Sequence, residues 1–342
     1  MQDNSKLNWA NNLRAAATLG VICIHTSSYL TGSFGKVPQT DWMISIIMNT
    51  MVRWSVPVFV MLTGTFVLNN YNDQIGPFLK KAFYKIIVPF LIWSIVYLLF
   101  NFWDNVLGPN LSLYQRVHFV VEKLITGTAV HLWYVYMIIC VYLVIPIFAR
   151  WVRIAQKKEL YFFLCLWFIM LMVYPFIDRY KHDFELGYFT GYIGYLVAGY
   201  YLFNFVQLPK SLLWILFFIS IALTAGGTYY LAFQQNMDKE MLLAPLTPGV
   251  FVMSASIYLL FKQANVTYPN WLSILVSAIC KYSYGIYLIH LLVLALIDDY
   301  LVSVTDFNPL WSIPAISLLT LLLSFVSIYL LRKLPLIGKW IG

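Results

Sequence analysis

The stretch NNLRAAATLGVICIHTSSYL, residues 11–30, decides the fold. Its length is what an α-helix needs to cross a hydrocarbon core about 30 Å thick. Within it Arg14 is the one side chain with a full charge at neutral pH. Apolar runs of similar length recur down the chain and predict spans at 10–31, 42–69, 82–103, 130–149, 160–177, 187–205, 211–233, 246–262, 281–299 and 310–331. The expected fold is all-α: a polytopic transmembrane helical bundle of about ten spans. It is read as a single domain over residues 1–342, with no fused soluble domain and both termini cytoplasmic. The first run has no small-residue cleavage site, and Arg14 lies near its start, so it reads as a retained span.

Composition says the same. Hydrophobic residues make up 61% of the chain and charged residues 11%, against about 25% charged in soluble domains. That much apolar surface requires a bilayer as solvent. The net charge of +8 does not point to nucleic acid, because of where the charges fall. With the N-terminus inside, 14 of the 22 Lys and Arg lie on the inner side and 6 on the outer, with Arg14 and Arg53 inside spans. Lys80, Lys81, Lys85, Arg150, Arg153 and Lys262 are among the inner ones, Arg179, Lys181 and Lys239 among the outer. This bias is the positive-inside rule. The cysteines Cys23, Cys140, Cys165 and Cys280 sit in apolar runs without paired spacing, and read as small buried hydrophobes.

One outer loop, 104–128, carries a pattern of its own. Ser112 followed by Gln115 forms a capping box. Val117, Val120, Val121, Leu124 and Ile125 recur at helical spacing opposite Arg116 and Lys123, and Gly127 stops the run. An amphipathic helix on the outer membrane face is expected, either covering the bundle or serving a site as lid or floor. The segment 271–279 reads as a comparable interfacial piece on the inner face.

The polar residues inside the spans carry the chemistry. Arg14 and His25 are eleven positions apart, about 20° beyond three full turns, so both project from one helix face about 16 Å apart along the axis. Thr18 shares that face, and Ser28 follows one turn beyond His25. Arg14 alone reads as a snorkelling cation, and His25 alone as a satisfied interhelical histidine. Arg53, in MNTMVRWSVPVFVMLTG, is mid-span and too deep to snorkel, so it must face a polar interior. No acidic residue within a span pairs with it, and an unpaired guanidinium suits an anionic ligand such as phosphate. Pro57, one turn on, should kink that helix. HLWYVYM places His131, Trp133, Tyr134 and Tyr136 at the outer boundary, as an aromatic belt or a sugar platform. SYGIYLIH places Tyr287 and His290 on one face, where His290 either orients a ligand or bonds a neighbouring helix. His118 and His182 read as solvated loop residues. No carboxylate–histidine spacing suggests a metal site. From these residues alone, an enzyme and a transporter or flippase for an anionic lipid-linked saccharide both remain open.

The same segments resemble the acyltransferase-3 family of membrane acyltransferases. NNLRAAATLGVICIHT is similar to its opening arginine–histidine motif, and RWSVPVFVMLTGTFV to its second-helix motif. HLWYVYMIICVYLVIPI resembles its tryptophan-containing fourth span, and SYGIYLIH its late Ser-Tyr-Gly-Ile-Tyr-Leu-x-His signature. Thr63 stands where serine is commoner and Val60 where phenylalanine is frequent. The stand-alone glycan O-acetyltransferases of the family are the nearest in layout. The resemblance implies transfer of an acyl group from cytoplasmic acetyl-CoA or another acyl-CoA to a hydroxyl of an extracytoplasmic glycan or glycolipid. It implies a multi-pass protein of the bacterial inner membrane and no metal. Under it His25, Arg14 and Arg53 are the catalytic candidates. Arg14, Arg53, Tyr287 and His290 are candidates for the donor, and Ser28, His131, Trp133 and Tyr134 for the acceptor.

Overall fold

The computed structural model describes residues 5–108, 111–177, 187–234, 240–264, 269–335 and 338–342. Arg179, Lys181, His182 and Lys239 lie outside the described residues. Every regular element among the described residues is helical, with no strand. In chain order the α-helices are α1 (Ser5–Thr31), α2 (Gln39–Val52), α3 (Ser55–Thr63), α4 (Ile75–Ala82), α5 (Val88–Val106), α6 (Leu113–Thr126) and α7 (Trp133–Ile154). Then come α8 (Lys157–Ile177), α9 (Gly187–Phe205), α10 (Lys210–Ala232), α11 (Pro248–Lys262), α12 (Asn270–Tyr300) and α13 (Pro309–Leu331). A π-turn, Gly64–Leu68, prolongs α3, and another, Phe83–Ile87, joins α4 to α5.

Among the described residues 7 helical segments are long and apolar enough to cross a membrane: Gln39–Leu68, Ile75–Val106, Val130–Ile154, Lys210–Ala232, Met241–Lys262, Asn270–Tyr300 and Pro309–Leu331. Helices α1, α8 and α9 stand at the three other expected spans. Helix α1 carries Asn11, Asn12 and Arg14 among its apolar residues, and it is the centre of the bundle. It packs on α2, α3, α11, α12 and α13, with Leu13 and Ala17 fully buried. A helix surrounded by protein tolerates the polar load that a lipid-facing one does not.

Local chemistry explains the boundaries. Pro89, Pro248 and Pro309 sit in the first turns of α5, α11 and α13, where a missing N–H leaves no partner wanting. The Asn308 side chain accepts from the Leu310 N–H at 2.9 Å to cap α13. The expected capping box closes α6: the Gln115 N–H donates to Ser112 Oγ and the Ser112 N–H to Gln115 Oε1. Gly127 ends that helix at φ 112°. Its Val117, Val121 and Ile125 are exposed, as an interfacial helix requires. The stretch 271–279 is a different case. It forms the first turns of α12 without a break, because no proline or glycine separates it from 281–299. The second span does break, at Arg53 and Trp54 between α2 and α3. Pro57 has no N–H to give the Arg53 carbonyl, so the turn before it tightens and Arg53 N–H bonds Thr50 O at 3.2 Å.

Close approach of backbones locks α3 to α9. A Cβ on Gly64 would collide with the Leu196 carbonyl, and one on Gly199 with the Met61 carbonyl. Such small-residue contacts substitute for the hydrophobic drive that helices lack in lipid. Thr65 Oγ1 adds bonds to Gly199 O at 3.2 Å and to the Tyr258 hydroxyl at 2.6 Å. Gly199→Leu is therefore expected to destabilise the protein by about 1–3 kcal/mol or more through overpacking. Thermal unfolding in detergent checks this, and an unchanged Tm would refute the contact.

At the end of the bundle carrying Lys81, Lys85 and Lys262, hereafter the basic pole, Asp73 accepts from Arg150 at 3.1 Å and Arg153 at 2.5 Å. The Arg153 and Arg150 guanidiniums hold the Asp73 carboxyl below the usual carboxylate range. A depressed folded-state pKa contributes stability above the unfolded value of about 3.9, lost as pH falls through the depressed value. The carboxylate is exposed, so salt screens the clamp. Asp73→Asn is expected to lower Tm slightly at neutral pH and low salt. The difference should vanish in high salt or below the carboxylate range, as melting curves over pH would show.

Candidate active site

Helix α1 sets the two ends of its polar stripe against α12. Arg14 Nη1 donates to Cys280 Sγ at 3.4 Å, and the Cys280 thiol donates to Asn11 Oδ1 at 3.2 Å. Cys280 is thus more than an apolar filler, since a polarizable sulfur receives the guanidinium. All four cysteines are free and partly buried. Ten residues further along α12 the His25 ring lies 5.1 Å from the His290 ring, centre to centre. His131, just before α7, completes the group at 5.0 Å from His290 and 6.3 Å from His25. The start of the fourth expected span, read from sequence as lying at the outer boundary, therefore carries a buried imidazole.

The partners of these rings set their protons. His290 Nδ1 lies 2.5 Å from the Tyr287 carbonyl and His131 Nε2 3.3 Å from the Leu288 carbonyl. A carbonyl only accepts, so each of these nitrogens carries hydrogen, and in the neutral ring the other nitrogen is an acceptor. Those other nitrogens, His290 Nε2 and His131 Nδ1, are buried with no hydrogen-bond partner. Two lone pairs are thus held beside His25. Tyr287 donates its hydroxyl to the His131 carbonyl and seats that residue. Tyr97 does the same for α12: its hydroxyl donates to Leu288 O at 2.9 Å and accepts from the Leu292 N–H at 3.1 Å. Nothing in the apolar run around Tyr97 signals this role in sequence.

Arg53 reaches the same place from the α2–α3 break. Its Nε donates to Asn49 Oδ1 at 2.5 Å. Asn49 in turn donates to Ile24 O at 3.1 Å and Ser27 Oγ at 2.8 Å. One asparagine therefore fastens the guanidinium to the turn of α1 that bears His25. Its spacing of four residues from Arg53 is the helical signal that marks it. One acid does approach Arg53, from outside the expected spans. Glu240, from the loop before α11, lies within electrostatic range of it, because that loop folds down over the cavity rather than standing clear.

His25, Ser28, Arg53, Trp133, Tyr192 and Glu240 line one cavity of about 920 Å³, which Thr126 and Gly127 at the end of α6 also border. The Ser28 hydroxyl spends its proton on Ile24 O at 2.6 Å and faces the cavity as an acceptor. Tyr134 sits deeper, with its ring 5.2 Å from Tyr287. Arg14 stands apart from this cavity, within electrostatic range of Tyr134 and Tyr142. Tyr142 borders a second cavity of about 440 Å³ at the basic pole, with Phe78, Asn70, Lys81 and Lys85. Phe78 and Tyr142 are stacked there at 5.7 Å. Of the sequence candidates, then, His25, Ser28, Arg53 and Trp133 share a cavity, and His131, Tyr134, Tyr287 and His290 lie beneath it. Arg14 connects toward the opposite pole. His118 is exposed on α6. Among the described residues no group of three or more His, Cys, Asp or Glu is placed to hold a metal.

A base beside two ring acceptors, facing a fixed guanidinium across a cavity, is equipped to deprotonate a hydroxyl and to hold an oxyanion. No curated protein and no solved structure matches the chain. A family model described as an acyltransferase domain matches residues 7–329, nearly the whole bundle and every residue of this site. The chain thus belongs to the acyltransferase-3 family of membrane acyltransferases.

Proposed function

We propose that the protein is an O-acyltransferase, chiefly an O-acetyltransferase, that moves an acyl group from cytoplasmic acyl-CoA to a hydroxyl of an extracytoplasmic glycan or lipid-linked saccharide. In this reading it spans the bacterial cytoplasmic membrane ten times, with the basic pole and both termini inside, as the positive-inside bias favours. The observation that carries it is the placement of His25 and Arg53 on one cavity. His25 takes the proton of the acceptor hydroxyl as its oxygen attacks the thioester carbonyl. Arg53 faces the oxyanion that forms. The C–S bond then breaks, the new C–O ester remains, and the thiolate takes the proton from His25. When His25 takes up the proton, the free lone pairs of His290 and His131 beside it are there to accept its N–H, much as a third group orients the base in hydrolases.

The cavity at the basic pole suits the donor. Lys81 and Lys85 supply charge for phosphates, and the stacked Phe78 and Tyr142 supply a flat apolar face for a base. Arg14 and the tyrosines between the two cavities line the way toward the histidines. Replacing Lys81 and Lys85 together by alanine is expected to raise the KM for acyl-CoA about tenfold, since losing 1.4 kcal/mol of phosphate binding has that effect, with kcat little changed. Steady-state kinetics at saturating acceptor check this.

The direct test is mass spectrometry of envelope glycans from cells with and without the gene. A loss of one acyl mass per repeating unit is expected, and identical spectra would count against the reading. A transporter of lipid-linked saccharide would move its substrate without consuming acyl-CoA. Acceptor-dependent release of free coenzyme A by purified protein separates the two. Tyr97, His131, Tyr287 and His290 fill the bundle between the cavities, which favours transfer of a small group over passage of a sugar.

A further inference from the structure

Away from the two cavities, α12 and the end of α13 bring three cations onto two aromatic rings. Lys281 Nζ lies 5.4 Å from the centre of the Tyr282 ring, and the Arg332 guanidinium carbon 5.3 Å from the same centre. Lys333 Nζ lies 4.4 Å from the centre of the Tyr329 ring. The two rings meet edge to face at 6.2 Å, and Phe325, one turn before Tyr329, packs against both. Lys281 directly follows Cys280, the partner of Arg14, so the cluster stands at the basic pole. None of the three cations has an ion pair among the described residues, and Asp73 at the same pole is taken by Arg150 and Arg153.

The rings attract the cations through their negative faces, but they carry no net charge. Three like charges gathered from two helices repel one another, and an anion among them offsets that repulsion. The surface beside them says which anion. Leu330, Val326 and Leu322 recur every four residues back along α13, and all are exposed, so they form one apolar stripe leading from the cations into the membrane. A soluble phosphate compound has no use for that stripe. A phospholipid has a phosphate for the cations and chains for the stripe. We propose that Lys281, Arg332 and Lys333 hold the head group of an anionic glycerophospholipid of the phosphatidylglycerol class, with its chains along α13. Basic clusters between transmembrane helices take such head groups. The bound lipid ties the end of α13 to α12, the helix that bears Tyr287 and His290. The assignment stands apart from acyl transfer and does not need it.

The experiment follows Tm of the purified full chain in detergent while dioctanoyl phosphatidylglycerol is added, beside dioctanoyl phosphatidylcholine and glycerol phosphate. Phosphatidylglycerol is expected to raise Tm to a plateau, and the other two to leave it nearly unchanged. The triple variant Lys281→Gln, Arg332→Gln, Lys333→Gln is expected to need about a hundredfold more phosphatidylglycerol for half the rise. Lys157→Gln, Lys158→Gln and Lys210→Gln together remove as much charge elsewhere and should leave that midpoint where it is. No rise with phosphatidylglycerol, or an equal rise with phosphatidylcholine, would overturn the proposal. Equal weakening in the two triple variants would reduce it to diffuse surface charge. Glycerol phosphate acting as well as the lipid would assign the cluster to a soluble phosphate compound, and displacement of the lipid by coenzyme A would assign it to the acyl donor. Lys333→Gln alone, at an exposed side chain, is expected to shift the midpoint about fivefold and decides the matter where the triple variant fails to fold.

Discussion

Replacing His25 with alanine is expected to lower acyl transfer by about 10²–10⁴-fold, the range a positioned general base contributes. The loss should fall on kcat, with the KM for acyl-CoA little changed, because the cavity proposed for the donor at the basic pole contains no part of this ring. His25→Gln should lose nearly as much, since an amide keeps the polarity but takes no proton. Stability is expected to hold in both variants. The ring is only partly buried, and the acceptors nearest it, His290 Nε2 and His131 Nδ1, already lack partners. No new buried polar group is orphaned by its removal. The readout is label transferred from acetyl-CoA per mole of protein at matched Tm. Full activity in either variant would rule out the base.

The second large effect concerns Arg53. Removing a donor that faces a developing oxyanion costs about 10²–10³-fold in kcat, so Arg53→Met should be nearly inactive. Its stability is expected to move the other way. A guanidinium at membrane depth carries a solvation cost of several kcal/mol, and one asparagine bond plus a nearby carboxylate offsets only part of it. An unbranched apolar side chain of similar reach removes that cost, leaving Asn49 Oδ1 to find a replacement. The desolvation gain exceeds the loss of one hydrogen bond, worth about 1–3 kcal/mol with a charged partner. Tm is therefore expected to stay level or rise while activity disappears. A variant whose activity falls only in proportion to lost folded protein would show that Arg53 serves packing instead. Asn49→Leu should give a milder loss of the same kind, because the guanidinium remains but is no longer aimed.

The contrast between Arg53 and Asn49 shows what sequence could and could not say. A charge inside an apolar run stands out at once, as do the eleven-residue phase of Arg14 and His25 and the capping box of α6. Each is local, and each came through in the folded chain. The meeting of His131 with His25 and His290 is a long-range event among α1, α7 and α12. It depends on how the start of the fourth span enters the core, which helical periodicity does not encode. Tyr97 was hidden for a simpler reason: one tyrosine among apolar residues looks like filler until its hydroxyl finds a backbone carbonyl. Glu240 lies outside any expected span, and only the fold of its loop brings it to Arg53. The joining of 271–279 to α12 shows that a change in amphipathic character need not mark a helix end.

The carbonyls of Tyr287 and Leu288 have a further consequence. Tyr142, Tyr134, Tyr287, His131, His290 and His25 make a file of proton-bearing groups from one cavity toward the other. In an energised membrane each elementary charge that crosses dissipates about 2.3 kcal/mol per 100 mV. A conducting file needs every group to donate to the next. Here the Tyr287 hydroxyl ends on the His131 carbonyl, and the N–H groups of both imidazoles end on α12 carbonyls. An amide oxygen receives a proton and does not relay it. The backbone therefore acts as insulation, and in the proposed reaction donor and acceptor can meet from opposite sides without short-circuiting the potential across them.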